Sequence, residues 1–502
     1  MDRRRRRDCC RIEPVSWQVR VIPNRYADSV RLMRIARAVR ERDGIERCEL
    51  GMGTPANLEA LERFGVSAQA TPADLVIAVD APDGGAADAL AYAEHELAAS
   101  DGAGTGTAVT RPRARSLPHA ARELGDANVA LISVPGDYAT LEAHRALSAG
   151  MHVFLFSDHV PLEAEIELKR RGAELDLLVM GPECGTAMLA GTGLGFANVV
   201  RPGPVGIVAA AGTGAQESAC LLDAAGVGVS HIVGVGGRDL HPDLGGLMFA
   251  QAMRMLARDP RTEKLLLVSK VPTAEGVRAI AEHLPADIEV VASFVGWNGS
   301  GEAPFEVHPT LEAGAAAAAG APPPDGSALE HEIDARVRRG GASEGCLLGL
   351  YSGGSLAHEA ITLLEPVLGP IAGNVGHGPD HAEGAVHALY DLGEAEYTQG
   401  RPHPMVDLES RIDMLERAAE DDHVGCVLLD VVLGFAGHPD PAGGLAPAIE
   451  RLAERAIVIA HVCGTPDDPQ DSERQTATLE GAGAIVAPSN ASAARLALRT
   501  VS

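Results

Sequence analysis

One local plan occurs twice in this chain, and that duplication constrains the fold more than any single motif. The first copy runs Val205-Gly-Ile-Val-Ala-Ala-Ala-Gly-Thr-Gly-Ala-Gln-Glu217. It continues through a glycine turn at Gly234–Asp239, a helix ending in Ala257–Pro260, and the apolar strand Lys264–Val268. The second runs Cys346-Leu-Leu-Gly-Leu-Tyr-Ser-Gly-Gly-Ser-Leu-Ala357, a Gly/Pro/His turn at Gly400–Asp407, a helix ending in Ala419–Asp422, and the strand Val424–Val432. Each reads strand, small-residue loop, helix, glycine turn, helix, strand. A glycine-rich loop between a buried strand and a helix aims several backbone N–H groups at one point, where the helix dipole favours an anion. Two such modules predict two helix N-termini converging on one phosphate or carboxylate.

Bulk properties narrow the setting. A length of 502 residues predicts about three or four domains with cores of their own. The balance of 42 basic against 69 acidic residues, net −27, opposes binding to nucleic acid or anionic membrane, so neither partner is expected. Only Lys169, Lys264 and Lys270 are lysines, and the run Arg3–Arg7 reads as a solvated tail. The eight cysteines form no C-x-x-C pair and no metal-finger spacing, which fits a reducing cytosol, and no metal site is expected. With no signal-peptide pattern and no apolar run approaching 18 residues, the expected location is cytoplasmic. An aromatic content of 3% with abundant Ala and Gly points to α/β layers.

Along the chain, strand and helix patterns alternate from about residue 17 to 100: strands at Val19–Ile22, Glu46–Leu50 and Leu75–Val79, helices at Ala27–Glu41, Asn57–Phe64 and Ala86–Leu97. This predicts a small ferredoxin-like αβ domain and linker over 1–115. A doubly wound pattern follows over 116–202, with strands at Val129–Val134, Val153–Phe156 and Leu177–Met180 and helices at Ala139–Ser148 and Leu162–Arg171. The two modules fill 203–300 and 345–502. Between them, 301–344 is rich in Ala, Gly and Pro and reads as a tether with one charged helix near Glu330–Arg338.

Within this frame Gly212, Thr213 and Gly214, and likewise Gly353, Gly354 and Ser355, are the candidate phosphate-binding groups: backbone donors plus a hydroxyl for a phosphate, carboxylate or tetrahedral transition state. The plainer alternative is a tight strand–helix turn whose glycines serve packing. Arg238 and Asp239 follow Gly236-Gly237, where a doubly wound fold opens, so Arg238 is a candidate clamp on a substrate carboxylate; a surface Arg–Asp pair is the alternative. Glu183 and Cys184 follow a strand end, and Cys184 reads as a buried structural thiol. His377, His381 and His387 cluster around Gly378-Pro379, which interrupts any helix, so they read as loop histidines rather than ligands. His403, Asp407, Asp430 and His438 gather at adjacent strand ends and are the candidate acid–base groups, with loop hydrogen bonding and capping as the alternative.

From Leu131 to Lys270 the motifs Val134-Pro135, Ser157-Asp-His-Val-Pro161, Gly181-Pro-Glu-Cys184, Gly206-Ile-Val208, Gly212-Thr213, Gly234-Val-Gly-Gly237 and Asp259-Pro260 fall in the order of the succinyl-CoA synthetase α subunit. Tyr351–Phe435 resembles the C-terminal domain of that enzyme's β subunit. With the ferredoxin-like start, Ile132-Ser-Val-Pro-Gly136 and Gly236-Gly-Arg-Asp-Leu240, the whole resembles the FdrA family over roughly 15–300 and 345–490. The resemblance implies a CoA-binding-type Rossmann domain followed by two flavodoxin-like CoA-ligase domains. It places Val134, Pro135, Ser157 and Asp158 on a CoA-type cofactor, CoA being an added acceptor or an ancestral relic.

Two departures stand out. The glutamate and phosphohistidine segments of the ligases are replaced by Val268-Ser-Lys-Val-Pro272 and Phe294-Val-Gly-Trp-Asn-Gly299, and no first glycine loop stands between Ser116 and Asp126. The resemblance therefore implies acyl or carbamoyl transfer involving phosphate and a small carboxylate. One branch of the family is a subunit of oxamate carbamoyltransferase, which works with partner proteins; a homo-oligomer is equally compatible. An ADP-forming acyl-CoA synthetase with a separate ATP-grasp subunit, and a non-catalytic anion-binding scaffold, are the alternatives.

Overall fold

The computed structural model describes residues 17–501 except 26, 28, 41, 43, 46, 64, 82–84, 103–113, 115, 271, 298–302, 339–344, 376–384 and 399–401. The Arg3–Arg7 run, His377 and His381 lie outside the described residues. The chain divides into two compact units, residues 1–112 with 395–402, and residues 113–394 with 403–502.

The first unit contains β1 (Trp17–Ile22), α1 (Ser29–Arg40), β2 (Arg47–Met52), α2 (Pro55–Arg63), β3 (Leu75–Asp80) and α3 (Ala86–Gly102). Its antiparallel sheet has the order β1-β3-β2. Period-two alternation explains why all of β3 is buried. Leu75, Ile77 and Val79 face the cluster that includes Leu32, Ile35, Val39 and Leu90, while Val76 and Ala78 face Leu61 and Val66.

The second unit opens with α4 (Leu117–Leu124), β4 (Val129–Ile132), α5 (Gly136–Ser148), β5 (His152–Leu155), α6 (Leu162–Glu174) and β6 (Val179–Met180), a three-stranded parallel sheet of order β4-β5-β6. Then come β7 (Thr186–Leu189), β8 (Thr192–Gly195), β9 (Pro202–Ala209), α7 (Gly212–Ala224), β10 (Val229–Gly234), α8 (Leu247–Leu256), β11 (Lys264–Lys270), α9 (Ala274–Ala281), β12 (Glu289–Val295) and β13 (Glu306–His308). These strands make one seven-stranded sheet, β13-β12-β11-β9-β10-β7-β8. The hairpin β7–β8 thus belongs to this sheet and not to the Rossmann strands, a correction to the boundary drawn at 202.

The tether reading is corrected in part. The charged helix expected near Glu330–Arg338 is α11 (Ser327–Arg338), but β13 and α10 (Leu311–Ala319) were not expected. Thr310 caps α10 by accepting from Ala313 N at 3.1 Å, and Gly320 closes it in the left-handed region at φ 65°. The alanine run is a packing surface rather than a flexible one: Leu311, Ala315 and Ala318 join the central core. At Gly314 a Cβ would stand 1.9 Å from Ser293 Oγ, so only glycine lets the helix approach β12 this closely.

The last module comprises β14 (Cys346–Tyr351), α12 (Gly354–Leu368), β15 (Ile371–Gly373), β16 (His387–Asp391), α13 (Ala395–Thr398), α14 (Glu409–Glu420), β17 (Val424–Val432), α15 (Pro441–Ala453), β18 (Ile457–Cys463), α16 (Ser472–Gly481), β19 (Ile485–Ala487) and α17 (Asn490–Val501). Its sheet is wholly parallel, in the order β15-β16-β14-β17-β18-β19. Residues 395–402, which include α13, group with the first unit.

One apolar cluster joins the two modules. Val205, Ile207, Ala209, Leu266 and Val268 of one sheet, and Leu389, Cys426, Leu428, Ile457 and Ile459 of the other, turn toward the same layer of helices built from α7, α10, α12 and α17. The intervening residues face outward, Val208, Leu265 and Leu267 into the Rossmann side and Val427, Leu429 and Val431 toward α14 and α15. Among the described residues no helix is long and apolar enough to cross a membrane.

Candidate functional site

Strand parity places four ionisable side chains on the inner faces. Lys270 continues the series Leu266, Val268; Asp391 follows Leu389; Asp430 follows Leu428; His461 follows Ile459. Lys270 and Asp391 are the last residues of their parallel strands, at the carboxyl edge where α/β sheets bind ligands. The helices α7 and α12 begin at that same edge, directly after β9 and β14.

The two glycine loops meet. Thr213 Oγ1 accepts a hydrogen bond from Ser355 N at 3.2 Å. A Cβ on Gly214 would lie 3.2 Å from Ser355 Cβ, and one on Gly353 would lie 3.0 Å from Thr213 Cβ. The loops nevertheless differ in what their amides do. Asp430, fully buried, accepts from Ser352 N at 2.8 Å, Ser352 Oγ at 3.0 Å and Gly353 N at 2.7 Å. Arg411 balances it at 3.2 Å. Two donors expected to serve an external anion, Gly353 N and Ser355 N, therefore have internal acceptors. At α7, Ala211 gives no side-chain cap, and among the described residues the amides of Gly212, Thr213 and Gly214 find no side-chain or loop acceptor. Gly212 is exposed. The uncapped helix N-terminus is thus that of α7, while the Asp430 carboxylate occupies that of α12.

Lys270 and Asp391 stand beside this junction. A Cβ on Gly354 would lie 2.5 Å from Asp391 Oδ2 and 3.6 Å from Lys270 Nζ. Lys270 also approaches Glu394 Oε1 at 3.8 Å. Asp391 is 3% exposed and accepts from Gly393 N at 2.9 Å. Burial pushes its carboxyl up to about 7, with Glu394 adding to the rise against the Gly393 amide and Lys270. Neither Lys270 nor Asp391 was singled out from the sequence. The available signal was that only three lysines exist and one ends a core strand.

His403 borders the same space. Its ring packs on Phe196 at a centroid distance of 5.8 Å, and Phe196 packs on Phe156 at 5.7 Å. Its Nε2 would lie 2.7 Å from a Cβ on Gly393. Burial drives its pKa down to about 4, with Asp430 opposing, so the imidazole is neutral at working pH.

The other expected acid–base groups have turn roles. His438 Nδ1 accepts from Asp440 N at 3.1 Å while its own amide donates to Met405 O at 2.7 Å. Asp407 Oδ1 accepts from Glu409 N at 2.9 Å, at the start of α14. His387, expected in a loop, instead begins β16, and its Nδ1 accepts from Leu347 N at 3.0 Å. Asp239 is fully buried; it caps α8 through Phe249 N at 2.9 Å and pairs with Lys169 at 2.9 Å. Arg238 reaches Glu165 at 2.8 Å and Val160 O at 2.9 Å, with 37% of its side chain exposed. These two residues thus form part of a buried charge network with Lys169 and Glu165. Cys184 is buried and its thiol is pushed up to about 12 by burial, which suits a structural role.

On the Rossmann side, Ser157 Oγ donates to Val134 O at 2.5 Å, tying the loop after β5 to the loop after β4. Pro135 precedes α5 without a side-chain cap. A Cβ on Gly136 would meet Asp158 O at 2.4 Å, so the first turn of α5 runs against the Asp158 backbone, while the Asp158 side chain is 69% exposed.

A second buried polar cluster fixes α7 against α12. Glu217 of α7 accepts from Asn490 N at 3.2 Å and pairs with His461 at 2.7 Å. Glu359 of α12 accepts from Asn490 Nδ2 at 2.7 Å and Leu311 N at 2.6 Å. Burial and the Glu217 charge push Glu359 up to about 7.

Residues 350–500 match the CoA-ligase family, and residues 15–112 match the AllF, heavy metal-associated domain. The described residues of that N-terminal domain do not fit a heavy-metal site. Cys48 is their single cysteine, fully buried, with its thiol pushed up to about 12 by burial, and no group of three or more potential ligands occurs among the described residues. A mitochondrial ADP-forming succinate–CoA ligase subunit alpha-2 of Trichomonas vaginalis is 32% identical over 29% of this chain and 48% of its own length; the chain spans about half of that relative. A dinucleotide-forming acetyl-coenzyme A synthetase 1 of Ca. Korarchaeum cryptofilum, solved with phosphate and ADP, aligns over 74% of this chain and 82% of its own at 16% identity and a TM-score of 0.28. The uncharacterized protein YahF of Escherichia coli K12 is 34% identical over 96% of this chain and 98% of its own. With that full-length relationship and the CoA-ligase match, the chain belongs to the FdrA-like family that includes YahF.

Proposed function

We propose that the chain transfers an acyl or carbamoyl group to and from phosphate, as a member of the CoA-ligase class of acyl-transfer enzymes. The observation that carries this reading is the open N-terminus of α7, whose three uncapped amides and the Thr213 hydroxyl lie beside Lys270 at the junction of the two modules. Phosphate would rest on Gly212, Thr213 and Gly214. Its charge is matched by the helix dipole and the ammonium, and negative charge developing on the attacked carbonyl is stabilised by the same preorganised donors. Within the class, the carbamoyl version interconverts oxalurate plus phosphate with oxamate plus carbamoyl phosphate. The replacement of the phosphohistidine segment by Phe294-Val-Gly-Trp-Asn-Gly299 supports it, because no phosphoenzyme is then required.

A second reading, ADP-forming acyl-CoA synthesis with a separate nucleotide-binding subunit, is favoured by the CoA-ligase match at 350–500 and by relatives that are ligase α subunits. In that case CoA would occupy the Rossmann loops at Val134, Pro135, Ser157 and Asp158. Incubating the protein and the products of neighbouring genes with oxamate and carbamoyl phosphate, and separately with succinate, ATP and CoA, separates the two. Thr213→Val should weaken anion binding by roughly 1–3 kcal/mol through loss of the hydroxyl donor. No transfer in either mixture, with unchanged anion binding in Thr213→Val, would contradict the assignment.

A further inference from the structure

We propose that Asp391 carries the proton during group transfer and that the site is built for a leaving group on nitrogen. This rests on the phosphate-dependent reading above. The Asp391 side chain is anchored by one oxygen only: Oδ1 accepts from Gly393 N at 2.9 Å. Among the described residues Oδ2 takes no hydrogen bond, and it lies 2.5 Å from where a Cβ on Gly354 would stand. Gly354 begins α12, so this bare carboxylate oxygen is aimed at the junction of the two helix N-termini. Lys270 Nζ is 3.6 Å from that same point. On the other flank, His403 Nε2 and Asp391 Oδ1 lie 2.7 and 3.1 Å from the point a Cβ on Gly393 would take. Both glycines therefore let the backbone approach the carboxylate more closely than any side chain would allow.

The groups acting on Asp391 are Lys270 from β11, Glu394 from its own loop, Asp430 from β17, which Arg411 balances, and the neutral His403. His358 of α12 is pushed down by burial and by Lys270, so it adds no positive charge near neutrality. With His403 near 4 and Asp391 near 7, the carboxylate rather than this imidazole changes charge in the working range.

The chemistry of the leaving group makes that meaningful. A CoA thiolate, from a thiol with an ordinary pKa of about 8.5, departs without a proton. An amide nitrogen does not. In carbamoyl transfer the phosphate oxygen forms a bond to the carbamoyl carbon, and its O–H proton passes to Asp391. The C–N bond breaks with its electron pair going to nitrogen, and Asp391 returns the proton there. Carbamoyl phosphate and the free amide result, with no redox change.

Two measurements on the full chain test this. Calorimetric titration with sulfate, which does not ionise between pH 5.5 and 8.5, should show binding that weakens about tenfold as Asp391 gains its charge, and Asp391→Asn should abolish that dependence. Sulfate binding whose pH dependence survives in Asp391→Asn overturns the proposal and leaves the anion site standing; no sulfate binding removes both. Carbamoyl phosphate and oxamate, assayed with the neighbouring gene products, should show a rate limb near pH 7. Asp391→Asn should lose that limb and slow transfer at least a hundredfold. An unchanged limb overturns the role of Asp391; wild-type protein transferring no group at all overturns the phosphate-dependent reading with it.

Discussion

At Gly354 the absence of a side chain lets the Asp391 carboxylate stand against the first turn of α12. In Gly354→Ala the new methyl would begin 2.5 Å from Oδ2, so the carboxylate must move. The overpacking should cost about 1–3 kcal/mol and reduce turnover more than tenfold with the fold intact, measured by urea denaturation beside the transfer assay. Asp391 also leaves a signature in stability. Its folded pKa is raised above 3.8, so the native state holds a proton that the unfolded chain releases, and stability falls as pH rises from about 4 through about 7. Asp391→Asn should therefore raise the melting temperature at pH 8 and change it little at pH 4. Lys169 poses the opposite case. Fully buried, it meets Glu165 at 2.8 Å, Asp239 at 2.9 Å and Val235 O at 2.8 Å. Lys169→Met leaves Asp239 without its buried cation and Glu165 with Arg238 alone, and should destabilise by about 3–5 kcal/mol in chemical denaturation.

Among the elements, α7 and α12 matter most, and the pair Glu217–His461 bears on how they are held. Burial, the largest influence, favours the neutral form of each group. The mutual charge and hydrogen bond outweigh it, leaving Glu217 below its ordinary value and His461 above it. The His461 contribution is fully present below about pH 6.5 and fades as pH rises through its elevated folded pKa; the Glu217 contribution is present above about 4.5 and fades on acidification. The melting temperature of wild type minus that of His461→Gln should accordingly shrink between pH 6 and 9. A difference that grows over that range would contradict the pairing. Element type and order were largely legible beforehand: β3 was expected at Leu75–Val79 and spans Leu75–Asp80, and α6, expected at Leu162–Arg171, runs on to Glu174. The hairpin β7–β8 was not expected, because Thr186–Gly195 has short strands and three glycines in place of alternating apolar residues. The Ala315–Ala319 run suggests a tether from sequence because small residues suit both linkers and tightly packed helices, and only the partner, here α7 and β12, decides between them.

For the whole molecule, the duplicated plan predicted a meeting of two loops, and Thr213 with Ser355 provides it. What the repeat did not disclose is asymmetry. Asp430, expected among the acid–base groups, caps α12 from a neighbouring strand, and no spacing along the chain links residue 430 to residue 353. Lys270 and Asp391 were hidden for the same reason: they come from different sheets, joined only when parallel strands align their carboxyl ends. His403 was visible as a residue type, but its neutrality follows from burial against Phe196, which sequence distance conceals. The central claim is that a tetrahedral anion sits where the modules join. Anomalous diffraction from crystals soaked in tungstate tests it most directly. The expected result is one strong peak within hydrogen-bonding reach of the Gly212–Gly214 amides and Lys270 Nζ; tungstate ordered elsewhere, with that junction empty, would contradict the account.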